Sequence, residues 1–185
     1  MLFRSPMKEE FLMTGKLENT NSAYTMAKLA GIELLGAFRR QFKRRWITVV
    51  PSNLYGMNDY FNEVAGHVIP SMIRKFDSAI NSGAYKIKLL GTGQAMREFL
   101  HVDDLSRAIF IALRDYDDDI PINVGSGEEI KIENLAMKIG QKMGFKGEIE
   151  WDSDSPDGTL RKLLDSTKIS NLGWKPLVKI GRAHV

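Results

Sequence analysis

The sequence predicts an α/β protein built on a parallel sheet. Two observations carry this. Helix-periodic stretches alternate with short strand-like runs along the chain, as in parallel strands joined by crossover helices. The chain has no internal repeat and no low-complexity segment, so one ordinary globular core is expected.

The elements follow in order. Residues 1 to 20 are polar and irregular, with Gly15 and Asn19-Thr20-Asn21 as turn and cap signals. A helix is expected from about Ser22 to Gln41, carrying Leu29, Ile32, Leu34, Leu35 and Phe38. Trp46 to Val50 reads as a buried strand stopped by Pro51, and Tyr55 to Gly66 as a loop rich in Gly, Asn and Asp. Val68 to Ile80 is helical, with Pro70 tolerated in the first turn. Tyr85 to Leu90 alternates as a strand. Gly91-Thr92-Gly93 then turns the chain, because a phosphate-binding loop would need a third glycine and a following helix. Glu98 to Val102 is a short strand, and Asp103 or Asp104 caps a helix running to about Arg114. Pro121 to Gly125 is a further strand, and Ile132 to Met143 a helix closed by Gly144 in the left-handed conformation. Glu148 to Trp151 and Arg161 to Leu164 are strands, and Thr167 to Leu172 is a short last helix.

Composition narrows the function. At 185 residues, 43% of them hydrophobic and 26% charged, the chain suits one domain with a sizeable core. No apolar run is long enough to span a bilayer, and Met1 to Pro6 lacks the apolar stretch of a secretory leader, so a cytosolic setting and no membrane partner are expected. With no cysteine, disulfides, thiolate metal sites and a cysteine nucleophile are excluded from this chain, and no metal site is expected. A net charge of +3 suits an anionic small molecule and falls short of a nucleic-acid surface. The basic run Arg39 to Arg45 follows a helical pattern and reads as solvated, and the acidic run Asp117-Asp118-Asp119 reads as a loop without calcium-loop spacing.

One stretch points to chemistry. Tyr24 and Lys28 are four residues apart at the head of the first helix and so share a face. An ammonium a few ångströms from a phenol favours the phenolate, and bringing a phenol from about 10 towards 7 takes roughly 4 kcal/mol of such help. A phenol so placed can exchange protons with a carbonyl or alcohol. Spacing alone favours the plainer reading, an amphipathic helix with a half-buried Tyr and a solvated Lys.

Further motifs decide between these. Tyr24-x-x-x-Lys28 resembles the short-chain dehydrogenase/reductase superfamily. Pro51-Ser52-Asn53-Leu54-Tyr55-Gly56, following a strand, resembles its extended nucleotide-sugar branch, the NAD-dependent epimerase/dehydratases. His67-Val68-Ile69-Pro70, the run Met96 to Asp104, Pro156-Asp157-Gly158-Thr159, Arg161 to Asp165 and Gly173-Trp174 are similar to the GDP-L-fucose synthase family. The similarity covers roughly Pro6 to Lys179. The Arg-x-Phe-x-x-Val-Asp-Asp type of run is common to many sugar-nucleotide enzymes, whereas His-Val-Ile-Pro together with Pro-Asp-Gly-Thr is selective.

The resemblance implies the back half of a doubly wound Rossmann-type parallel sheet plus a smaller α/β substrate-binding domain, NADPH as cofactor and a GDP-sugar as substrate. It implies epimerisation of GDP-4-dehydro-6-deoxy-D-mannose at C3 and C5, then reduction at C4 to GDP-L-fucose. Both epimerised carbons flank the C4 ketone, so loss of either proton gives an enolate that needs hydrogen-bond donors. By the resemblance Tyr24 is that donor, and Lys28 supports it and bonds the nicotinamide ribose. His67 is the acid delivering a proton on the face opposite the base, a task suited to an imidazole, and it also borders the cofactor. Pro51, Ser52, Asn53 and Leu54 lie against the nicotinamide, and Lys75, Leu90, Arg97 and Asp157 are substrate positions, with Arg97 at the diphosphate. The plainer reading of Arg97 is an ion pair with Glu98 or Asp103, and His101 reads as structural. Lys75 stands where relatives often have arginine, replacing a bidentate contact by a point charge, and Leu90 where many have tryptophan.

The same resemblance places a dinucleotide-binding domain in residues 1–55 and about 102–125, and a substrate-binding domain in about 56–101 and 126–179. The first helix, with small residues Ala27, Ala30 and Gly31, is expected to form half of a homodimer bundle. The family's glycine-rich cofactor loop, catalytic serine and epimerisation cysteine would lie upstream of Met1. Residues 180–185, Ile-Gly-Arg-Ala-His-Val, match a translated sequencing adapter. The chain therefore reads as a gene fragment, inactive alone. Within enzymes the alternative is another sugar-nucleotide 4-epimerase or 4,6-dehydratase; outside them, a non-catalytic sugar-nucleotide-binding module.

Overall fold

The computed structural model describes residues 5–181. After single turns at Glu9–Phe11 and Asn19–Asn21, helix α1 spans Ser22–Phe42 and leads into β1 (Val49–Pro51) and β2 (Asn53–Tyr55). Helix α2 (Val68–Ser82) precedes β3 (Lys86–Leu90) and β4 (Met96–His101), and α3 is Val102–Asp115. Then come β5 (Ile122–Val124), β6 (Glu129–Lys131), α4 (Ile132–Met143), β7 (Glu148–Asp152), β8 (Arg161–Lys162) and α5 (Thr167–Asn171).

Among the described residues, four of the five strand pairings are parallel: β1 with β5, β2 with β4, β3 with β7 and β4 with β8. Only β4 with β6 is antiparallel. The expected α/β architecture is therefore present, and the four expected long helices form within a residue or two of their predicted ends. Gly144 closes α4 at φ +78°, as its missing side chain allows.

Two apolar clusters hold the elements. Met72 and Phe76 of α2 meet Leu135 and Ala136 of α4 over Ile87, Leu89 and Phe99. There Gly140 lets the Phe76 ring press against the α4 backbone, where a Cβ would collide. The second cluster joins Ala108 and Ala112 of α3 to Ile122, Val124, Leu100, Ile169 and Trp174.

Several elements differ from the sequence reading, including β2, a strand absent from the expected order. Trp46 is not in the strand, because its ring lies 5.8 Å from Phe38 and 6.5 Å from Phe42, which draws it to the end of α1. Pro51 does not stop β1 but pairs with Val124, a ladder position that tolerates a missing N–H at a strand end. Strand β6 is too short and polar to show in the pattern. Finally, α3 is capped by His101, whose Nδ1 accepts the Asp103 N–H at 3.3 Å, and not by an aspartate. Asp104 is 1% exposed and committed elsewhere: its carboxylate accepts the N–H groups of Leu177 and Val178 at 3.1 and 2.9 Å and a guanidinium hydrogen bond from Arg107. The two charge runs also meet, with Arg39 and Arg45 both paired to Asp117.

Glu98 joins three segments. Fully buried, it accepts the Gly127 N–H at 2.7 Å and the Leu164 N–H at 3.1 Å on its two oxygens. Burial pushes its carboxyl above the usual range, against the pull of those donors. Gly125 has no room for a Cβ because this carboxylate fills the space. Glu98→Gln turns an N–H donor towards one of these donors, and thermal unfolding should show a loss of about 2 kcal/mol, or roughly 4–8 °C.

Candidate active site

Three segments converge on one open cleft of about 850 Å3. The first turn of α1 brings Tyr24 and Lys28, the β1–β2 stretch brings Pro51, Ser52, Asn53 and Leu54, and the head of α2 brings His67. Each position has a local cause. Helical spacing sets the Lys28 Nζ 5.4 Å from the centroid of the Tyr24 ring. Strand pairing on both sides fixes the next segment, since β1 is tied to β5 and β2 to β4, and Asn53 Nδ2 donates to the Glu98 carbonyl at 2.7 Å. His67 is the N-cap residue of α2, with its Nδ1 3.3 Å from Asp59 Oδ1.

Tyr24 is 67% exposed, so the fold does not use its ring as core. The Ser52 hydroxyl is buried on the cleft lining with no hydrogen-bond partner among the described residues. A buried orphan hydroxyl is costly unless a ligand or water completes it.

Of the four residues expected at the substrate, Arg97 and Asp157 are in direct contact. Arg97 is half-buried, donating from Nη1 to the Met96 carbonyl at 2.8 Å and from Nη2 to the Asp157 carbonyl at 3.1 Å. Burial disfavours its charge, while the carboxylates of Asp157 and Glu18 favour it. The ion pair with Glu98 or Asp103 does not form: Glu98 serves Gly127 and Leu164, and Asp103 lies 3.6 Å from His101. Lys75 Nζ donates to the Lys88 carbonyl at 3.1 Å, and Leu90 is 64% exposed at the end of β3. None of these four borders the cleft itself. Arg97 is joined to the cleft by the β4–β8 pairing, where it stands opposite Lys162, which does border it. The sequence reading missed Lys162; its signal was the Arg161-Lys162 run following Pro-Asp-Gly-Thr.

Parallel strands alternating with helices, and a Tyr-x-x-x-Lys pair over a cleft lined by β1 and β2, define an α/β protein of Rossmann type. The chain belongs to the NAD dependent epimerase/dehydratase family, whose family model matches residues 3–125. It is 45% identical over 175 residues to a probable GDP-L-fucose synthase 1 of Oryza sativa subsp. japonica, covering 95% of this chain and 53% of the rice protein. It is 41% identical to the GDP-L-fucose synthase of Escherichia coli K12, covering 94% and 57%. The crystal structure of a GDP-L-fucose synthetase from Naegleria fowleri bound to NADP superposes with a TM-score of 0.91 at 27% identity, covering 98% of this chain and 59% of that one. The chain thus spans about half the length of the curated relatives it matches.

Proposed function

We propose that this chain carries the proton-transfer half of a cytosolic, NADPH-dependent epimerase-reductase that converts GDP-4-dehydro-6-deoxy-D-mannose to GDP-L-fucose. The observation supporting it most directly is that Tyr24, Lys28, Pro51 to Leu54 and His67 border one cleft. In this reading residues 1–55 and about 102–125 belong to the dinucleotide-binding domain, and about 56–101 and 126–179 to the substrate domain. The exposed face of α1, with Met26 and Leu34, would meet a second copy.

The residues present fit the cofactor. The orphan Ser52 hydroxyl and the Pro51 to Leu54 backbone offer hydrogen-bonding groups for a nicotinamide carboxamide, and Lys28 a cation for its ribose. When bound, NADPH supplies the hydride that reduces C4. Tyr24 donates a hydrogen bond to the C4 oxygen while a neighbouring carbon is deprotonated, and then a proton to that oxygen as the ketone is reduced. His67, held by Asp59, delivers its own proton to the enolate carbon on the face opposite the base that took the first. Lys162 and Arg97 receive the diphosphate, so the GDP runs out of the cleft along the β4–β8 pair.

The test is a chimera in which this span replaces the matching span of the rice relative. It should catalyse epimerisation and reduction, and lack of both overturns the reading. His67→Asn in that chimera should slow solvent-deuterium incorporation at C3 and C5 about a hundredfold or more, with reduction of already epimerised substrate much less affected. Equal losses in both steps would remove His67 from the acid role. The 185-residue chain alone, which contains no Gly-x-Gly-x-x-Gly run, should neither bind NADPH tightly nor turn over. Measurable hydride transfer by it would refute that.

A further inference from the structure

The turn Gly91-Thr92-Gly93 is more than a reversal between β3 and β4. The Thr92 hydroxyl donates to one oxygen of the Asp157 carboxylate, and the Thr92 N–H donates to the other at 2.7 Å. Both flanking glycines are required for this approach. Gly91 and Gly93 sit at φ +80° and +74°, which favours glycine. A Cβ on Gly91 would also strike the Asp157 carboxylate, and one on Gly93 the Trp151 ring at 2.7 Å.

Asp157 in turn holds Arg97 through its backbone carbonyl. A guanidinium has five N–H donors. Two are spent on the Met96 and Asp157 carbonyls, which leaves three for a ligand. Of the two carboxylates that act on this guanidinium, Asp157 acts more strongly than Glu18, and Thr92 keeps the Asp157 carboxylate turned into the β3–β4 turn.

We propose that Thr92 is a positioning residue for the diphosphate end of the substrate: by gripping the Asp157 carboxylate it fixes the Asp157 carbonyl against Arg97 and leaves the outer face of the guanidinium open to an anion. This rests on the reading above that Arg97 receives a diphosphate. Thr92 itself touches no substrate. Its hydroxyl acts through Asp157, so a side chain of the same shape without the hydroxyl should separate the role from packing.

The experiment uses the 185-residue chain, with GDP as probe in titration calorimetry and carbon-13 NMR of the Asp157 side chain as a readout without ligand. Thr92→Val should weaken GDP about fivefold, the worth of one hydrogen bond, and let the Asp157 carboxyl titrate at higher pH than in the parent. Asp157 now lies below the usual carboxylate range, chiefly through the two Thr92 hydrogen bonds. Thr92→Ser should restore both readouts, and the melting temperatures should agree within about 2 °C. Arg97→Ala should weaken GDP more than tenfold. If Arg97→Ala matters and Thr92→Val does not, the positioning role is wrong and the diphosphate reading stands. If the parent chain does not bind GDP, or Arg97→Ala binds it as well as the parent does, the diphosphate reading falls and the inference with it. An Asp157 titration indifferent to Thr92→Val overturns the grip itself.

Discussion

Tyr24→Phe in the rice chimera should lower the rate of C4 reduction about a thousandfold, within the range lost when a positioned proton donor is removed. The substitution deletes one oxygen from a ring that is 67% exposed, so the fold should not register it, and unfolding should shift by no more than about 0.5 kcal/mol. Lys28 stays in place on the same helix face and continues to offer its ammonium to the cofactor, so NADPH affinity should hold. The split between rate and binding is the informative result. A binding module without chemistry would not register the change, and a chimera retaining a tenth or more of the parent rate would remove Tyr24 from the proton-donor role.

Asp104→Asn should produce the largest loss of stability. The carboxylate is 1% exposed and accepts from Leu177, Val178 and Arg107, while its backbone carbonyl accepts the Trp174 indole N–H at 3.1 Å. These bonds lash the segment after α5 to α3. An asparagine turns an N–H donor towards the Leu177 and Val178 donors and leaves the Arg107 cation unpaired. The expected cost is about 3 kcal/mol, or roughly 6–12 °C in thermal unfolding.

The pH dependence checks the cause. Burial alone would raise the Asp104 carboxyl, but hydrogen bonds from Val178, Arg107 and Leu177 outweigh it and hold the group below the usual range. A depressed folded-state value gives stability that is complete above the unfolded value near pH 4 and lost as pH falls through the folded one. Asp104→Asn should therefore flatten the acid limb of the stability curve. An equally steep acid limb in parent and variant would show that other carboxylates govern it.

Much of the site was legible because its residues are close in sequence. Tyr24 and Lys28 lie one helical turn apart, and Pro51 to Leu54 are consecutive, so local geometry alone places each set. The turn at Gly91-Thr92-Gly93 was legible as a turn but not as a grip, because its partner Asp157 lies 65 residues away. Asp104 was read as a helix cap for the same reason. An acidic residue at a helix start has a local use, and nothing local shows that Leu177 and Val178 claim it. The basic run alone reads as solvated and the acidic run as a loop, and neither shows that Arg39 and Arg45 close on Asp117 across 78 and 72 residues.

By itself the sequence determined the α/β class, the four long helices, the Tyr-Lys spacing and the family motifs, all of which rest on periodicity or short-range geometry. Only the tertiary structure decided that α1, the β1–β2 stretch and the head of α2 border one cleft. It alone also decided that Lys162 connects the cleft to Arg97, and that buried Glu98 and Asp104 are spent on distant backbone amides. The reason is physical. A buried polar group must find a partner wherever the fold supplies one, and the partner's distance along the chain leaves no mark on the residues nearby.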